Sequence, residues 1–310
     1  MPLLVQKTVL LAKIETTYGT DPVPTGAANA VLITDLTVTP LDQDAESRNL
    51  IRPYFGNSPQ IPVANRTMVE FSVEVAGSGA LGTAPAYGPL LRACGMAEVI
   101  TASTKVEYNP ISATFESATF YVAVDGVMHK LTGARGTVAI ELSAKKIPHF
   151  KFKFTGLFNP VTDTALPTAV FAPWIQPLAV LTGQTSAFTL HGFSTAVLQD
   201  LSIDLAVTVT HRALVGSEAV IITDRAPSGK VVIEAVPVAT KDFWSIAKLA
   251  TLGALSIQHG NTEGNIVQLD APQVQLVKPS YSDSDKIRML NLDLTLNPSA
   301  GNDELKITVR

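Results

Sequence analysis

Charge is what this 310-residue sequence has least of. Lys and Arg number 23 and Asp and Glu 27, so charged residues make up 16 % where about 25 % is usual. A folded monomer of 32.9 kDa is expected to expose on the order of 12,000 Å². So few charges leave much of that surface neutral, and burial against copies of the same chain is the physical answer we expect. The net charge is -4 with no Lys/Arg run. A mildly acidic chain has no bulk attraction for nucleic-acid phosphate. The single cysteine, Cys94, excludes an intrachain disulfide framework and fits a reducing compartment. No stretch reaches 18 apolar residues, and the only apolar run near the N-terminus, Val9–Ala12, is too short for a signal-peptide core. A protein folded in the cytoplasm is therefore expected. Aromatic residues are only 6 %, few for a sugar-binding platform.

Catalytic and metal-binding patterns are also scarce. His129, His149, His191, His211 and His259 form no H-x-x-x-H pair, and none has metal-ligand spacing to Cys94. No G-x-S-x-G elbow is present. Asp283-Ser284-Asp285 lacks the Gly and distal Glu of a calcium loop and reads as a solvated turn. Gly77-Ser78-Gly79-Ala80-Leu81-Gly82 spells G-x-G-x-x-G. However, the strand before it alternates with Glu70 and Glu74, and Pro85 and Pro89 delay any helix, so it reads as a flexible connection. No enzyme activity and no cofactor are expected.

What the sequence does have is period two. Val69, Phe71, Val73 and Val75 alternate with polar neighbours, as do Phe120–Val124, Val138–Leu142, Phe150–Phe154, Leu201–Val209 and Leu290–Leu296. Such alternation describes antiparallel sheets with one face in a core. Asp125-Gly126 marks a tight hairpin from about Thr119 to Leu131. Helical signals are confined to Ala86–Ala93 and Lys241–Leu252, each ended by a glycine.

The order of elements repeats. Asp35-Leu36-Thr37-Val38 and Asp200-Leu201-Ser202-Ile203 each open a strand. Each is followed by a long polar loop (Leu41–Arg66 and His211–Gly229), an alternating strand, a short helix and further strands. The predicted organisation is an N-terminal arm (residues 1–30), a first β domain (31–158), a Pro/Thr-rich linker (159–180) and a second β domain (181–310). The predicted fold is mainly β: two tandem antiparallel β-sandwich or barrel domains, each with one short flanking α-helix. The loop Leu41–Arg66 exposes Arg48, Ile51, Arg52, Tyr54, Phe55 and Ile61. Arg and aromatics are favoured at interface centres, so these six are the predicted inter-subunit contacts.

Three segments carry a family resemblance: Ile14-Glu15-Thr16-Thr17-Tyr18-Gly19-Thr20-Asp21-Pro22, Leu50-Ile51-Arg52-Pro53-Tyr54-Phe55-Gly56-Asn57-Ser58-Pro59 and Ala84–Gly95. With Asp125-Gly126 and Gly133-Ala134-Arg135-Gly136, they resemble the major tail (tail tube) proteins of long-tailed bacteriophages. The resemblance implies a virion protein made in the bacterial cytoplasm whose β-sheets join edge to edge around a lumen. Rings would stack axially into a tube that DNA traverses without specific binding, and the strand faces bearing Glu70, Glu74 or Asp204 are candidates for its lumen wall. Implied partners are other copies of the chain and the tape measure, tail terminator and baseplate or distal tail proteins, with no membrane. With a duplicated domain a trimeric, pseudo-hexameric ring is favoured; a plain hexamer is the alternative. The competing reading is a β-sandwich tail or capsid decoration protein or a carbohydrate-binding adhesin.

Overall fold

The computed structural model describes residues 2–310. The chain opens with β1 (Thr8–Ile14), the single-turn helix α1 (Gly26–Asn29) and β2 (Ala30–Val31). A long ribbon follows, β3 (Thr34–Ser47) and β4 (Gln60–Glu74). Helix α2 (Gly88–Ala93) leads into β5 (Met96–Thr101), β6 (Lys105–Pro110), β7 (Ala118–Val124), β8 (Val127–Ser143) and β9 (His149–Phe158). After β10 (Thr162–Asp163) come β11 (Thr185–Leu190), β12 (Leu198–Asp204), a second ribbon β13 (Val207–Leu214) and β14 (Ser217–Arg225), and β15 (Ser228–Glu234). Helix α3 (Phe243–Lys248) precedes β16 (Leu252–His259), β17 (Val267–Ser284), β18 (Ile287–Asn297) and β19 (Lys306–Val309). No helix among the described residues is long and apolar enough to cross a membrane.

The described residues are mainly β, antiparallel and layered, without a closed barrel among them. One long sheet runs β3–β4–β9–β8–β12–β15–β18–β17. Behind it, β2–β1–β7 joins the N-terminal half of β8. Similarly, β11–β16 joins the N-terminal half of β17, where β19, β6 and β5 continue the layer. Phe71, Phe150, Phe152 and Phe154 point from β4 and β9 into the gap, and Phe120 meets them from β7 with its ring 4.6 Å from that of Phe154. Each such side chain removed from water contributes about 2–3 kcal/mol. In the second half Leu255, Ile257, Leu269, Leu290, Leu292 and Leu294 fill the same role.

Several elements follow from local chemistry. Asp125 (φ 39°) and Gly126 (φ 106°) make the two-residue turn that sets Val124 opposite Val127. Asp285 (φ 52°) and Lys286 (φ 66°) do the same between Ser284 and Ile287, so the Asp283–Asp285 stretch is a hairpin turn. The two expected helices form at Gly88–Ala93, with Pro89 in the first turn, and at Phe243–Lys248, with the Asp242 carboxylate capping the Ser245 amide at 2.9 Å.

Four expectations change. The loops Leu41–Arg66 and His211–Gly229 are largely β ribbons, leaving as loop residues 48–59, the tight turn Val215–Gly216 and the pair Ala226–Pro227. The alternation Leu201–Val209 is broken at Ala206 (φ 47°), where the Asp204 carboxylate accepts from the Ala206 amide and the chain leaves the long sheet. The stretch 1–30 contains β1, which pairs alongside β7 with Leu10 and Leu11 buried. The third helix, α1, lies in that same stretch, tied to residues 159–180 by the Val170 amide on the Gly26 carbonyl.

Candidate assembly surfaces

The first surface is the β3–β4 ribbon. Its base is pinned by Arg66, which donates to Asp42 at 2.6 Å and Asp44 at 2.9 Å, and by the Gln43–Asn65 side-chain pair. Hydrogen bonds from Arg66 hold the Asp44 carboxyl below the usual carboxylate range. Beyond that base the ribbon leaves the body. Ile51 and Phe55 are as exposed as in a free peptide, and Tyr54, Ile61 and Val63 are more than half exposed. Arg52 donates to the Ser58 hydroxyl at 3.1 Å and stands 5.9 Å over the Tyr54 ring, while Arg48 is exposed. All six expected contact residues therefore lie on one projecting ribbon, and none folds back onto the body.

The second ribbon, β13–β14, behaves differently. Val220 is fully buried against the first half. Its amide donates to the Tyr18 hydroxyl at 2.6 Å, and its carbonyl accepts from Arg135 at 2.8 Å. Arg135 also stacks over the Tyr18 ring at 4.9 Å. Burial raises the Tyr18 hydroxyl pKa, so it stays protonated. Arg225 closes the far end with the buried Glu304 carboxylate and the Ile111 carbonyl.

Beneath Tyr18 sits a buried carboxylate. Glu15 accepts from the Gly19 and Gly133 amides at 2.7 Å and from the Ser117 and Thr119 hydroxyls at 2.6 Å. A side chain at Gly133 would collide with the Tyr18 ring at 2.7 Å, so the position must be glycine. Glu15, Tyr18 and Gly133 fall in two of the motifs that carried the resemblance. Their joint role was not legible, because the donors come from three separate strands or loops.

The third surface is the open face of the long sheet. Cross-strand partners place Glu70, Glu74, Glu141, Asp200, Asp204, Glu234 and Asp293 on it, with Lys151, Lys153 and Lys230. Two of the lysines are spent on neighbours, Lys151–Glu141 and Lys153–Glu70, each at 2.7 Å. The face is polar and net negative. The three acidic residues singled out earlier, Glu70, Glu74 and Asp204, share it.

Among the described residues the long sheet also ends in two unpaired edges. There β3 pairs only with β4, and Ser280–Ser284 of β17 pair only with β18. Near the latter, Tyr281 is half exposed, with Arg288 over its ring at 5.0 Å and Trp244 5.1 Å away.

The remaining motifs have structural roles. The Gly77 amide donates to Asn265 at 2.8 Å and the Gly79 amide to the Gly264 carbonyl at 2.9 Å, tying that connection to the loop 260–265. Cys94 is fully buried at the end of α2, and burial pushes its thiol pKa up. His259 is buried between the Thr185 hydroxyl (2.9 Å) and the Leu178 carbonyl (3.1 Å), and burial lowers its pKa. Trp174 donates to the Ala30 carbonyl at 2.9 Å and is committed to packing.

Residues 5–302 match a family model described as phage tail tube protein. None of the curated proteins compared matches the chain.

Proposed function

Because the chain belongs to the phage tail tube protein family, we propose that its copies close into rings through the two unpaired edges of the long sheet. The role is structural: the protein assembles with itself into the tail tube of the virion and associates with other tail proteins. The finer reading is a trimeric ring in which each chain supplies two tube domains, residues 31–158 and 181–310. The hexamer is the alternative outcome. The segment 159–180 links the two domains, and part of 1–30 serves as an arm. Assembly takes place in the host cytoplasm, with the tape measure, terminator and distal tail proteins as the other partners.

The observation that carries this reading is the long sheet itself. It has unpaired backbone at both ends, and the whole chain exposes 15518 Å² against roughly 12,000 Å² for a compact monomer of this mass. Exposed edges invite aggregation unless something pairs them, and ring closure removes them. Its acidic face becomes the lumen wall, which repels DNA phosphate and lets the duplex slide. The projecting ribbon with Arg48, Ile51, Arg52, Tyr54, Phe55 and Ile61 then clasps a neighbouring copy.

Negative-stain microscopy of the purified chain tests this, with mass photometry on the smallest ring. Stacked rings with a central hole, and a ring mass near three times 32.9 kDa, are expected. A compact monomer at every concentration would overturn the proposal, and a sixfold mass would replace the trimer.

A further inference from the structure

The middle of the long sheet already contains one junction of the kind a ring needs. There β12 docks on β8 with Ala139 opposite Asp204, Ile140 opposite Ile203, Glu141 opposite Ser202 and Leu142 opposite Leu201. The four strands on either side of this junction share one register. Phe71 opposite Phe152 corresponds to Val231 opposite Leu292, and Val73 opposite Phe150 to Ile233 opposite Leu290. Thr37 opposite Glu70 and Val38 opposite Val69 correspond to Ser202 opposite Lys230 and Ile203 opposite Gly229. Hence β3 occupies the place of β12, with Val38 where Ile203 stands.

At the other end, Ile140 opposite Phe150 and Glu141 opposite His149 correspond to Tyr281 opposite Leu290 and Ser282 opposite Met289. The C-terminal half of β17 therefore occupies the place of β8, with Tyr281 where Ile140 stands. In the internal junction both edges are paired; at the two ends of the sheet both are open.

We infer that β3 of one copy pairs antiparallel with Ser280–Ser284 of a second copy. Val38 stands opposite Tyr281, Thr37 opposite Ser282 and Thr39 opposite Ser280. This rests on the ring reading and gives it a register.

Two further observations support the match. Ile140 and Ile203 are buried in the internal junction, whereas Tyr281 is half exposed and Val38 only partly covered, so apolar surface awaits a partner at both ends. On the opposite face the partners are hydroxyl against hydroxyl, Thr37 with Ser282 and Thr39 with Ser280. Such cross-strand pairs are favourable and bring no like charges together. Asp283, opposite Arg288, stands where Leu142 does, so the outer rim of the intermolecular junction is wetter than the internal one.

Cysteine pairs in the full chain test the register. Cys94 is fully buried and does not compete. Thr37→Cys with Ser282→Cys, assembled under reducing conditions and then mildly oxidised, should shift the non-reducing gel band from monomer to a ladder ending at a closed ring. Thr37→Cys with Ser284→Cys, two residues out of register, should not. Crosslinking by the second pair alone, or by neither pair in well-formed tubes, overturns the register while leaving the tube reading intact. Absence of rings from the unmodified chain overturns the tube reading itself. Should the double variants fail to assemble, amide exchange on unmodified tubes decides: residues 35–39 and 280–284 should lose exchange relative to free subunits. Unchanged exchange at both would refute the pairing.

Discussion

Replacing Glu15 with alanine should be among the costliest single changes in the first half of the chain. The carboxylate is 7 % exposed and collects four donors, two amides at 2.7 Å and two hydroxyls at 2.6 Å. The Ser117 and Thr119 hydroxyls can rotate toward other acceptors. The Gly19 and Gly133 amides cannot, since each is held by the backbone. An orphaned buried donor costs about 1–3 kcal/mol, so the two amides set a loss of roughly 4 kcal/mol. That is a large share of the roughly 5–15 kcal/mol that holds an ordinary domain together. Glu15→Gln keeps the shape and one acceptor oxygen but aims an amide N–H at other donors, and should cost about half as much. Guanidinium unfolding of the unassembled subunit measures both, and amide exchange at Gly133 locates the damage. The loosening should reach Val220, because Tyr18 sits at the other end of the same turn. A loss below about 1 kcal/mol for Glu15→Ala, or an unchanged Gly133 amide, would refute the reasoning.

Burial holds the His259 and His191 pKa values below the ordinary 6.5, so both are neutral in the folded chain at pH 7 while the unfolded chain protonates them near 6.5. Their contribution is present above that value and declines as the pH falls below it. Denaturation midpoints between pH 7 and 5 should drop, and His259→Gln should flatten the slope; an unaltered slope counts against the assignment. Replacing Gln43–Asn65 by an Asn-Gly turn, which joins the paired Asp42 and Arg66, should leave a folded subunit by circular dichroism that no longer forms tubes. Continued polymerisation would remove the clasping role of the ribbon. Reversing Asp204, Glu234 and Asp293 to lysine should leave tubes that retain short duplex DNA in low salt and release it as salt rises. Retention equal to that of the unmodified tube would show that the open sheet face is not the inner wall.

The long sheet and its core were readable because one face is dry: Phe150, Phe152 and Phe154 could alternate only with residues such as Lys151 and Lys153. The first ribbon was not, because both of its faces meet water. Gln43, Asp44 and Glu46 pair with Asn65, Ala64 and Ile61 without any apolar rhythm, and three register shifts interrupt the pairing. The break at Ala206 was hidden because alternation continues on both sides of it while the strand changes sheets. The six residues of the first ribbon were singled out by their composition alone. The Glu15 socket needed three dimensions, since Gly133, Ser117 and Thr119 are about a hundred residues away. Likewise, the correspondence between the internal junction and the open edges is a matter of register, which no single strand displays.

One pairing also bears on the order of events during synthesis. β19 lies between β6 and β17, with Thr308 opposite both Glu107 and Gln268. The ribosome therefore delivers Lys306–Val309 long after β6 has emerged, and until then β6 has one row of backbone groups with nothing to bond. Contacts so distant along the chain form slowly. The nascent polypeptide must carry that gap until Lys306–Val309 emerge, and that strand acts as the latch that ends the vulnerable period.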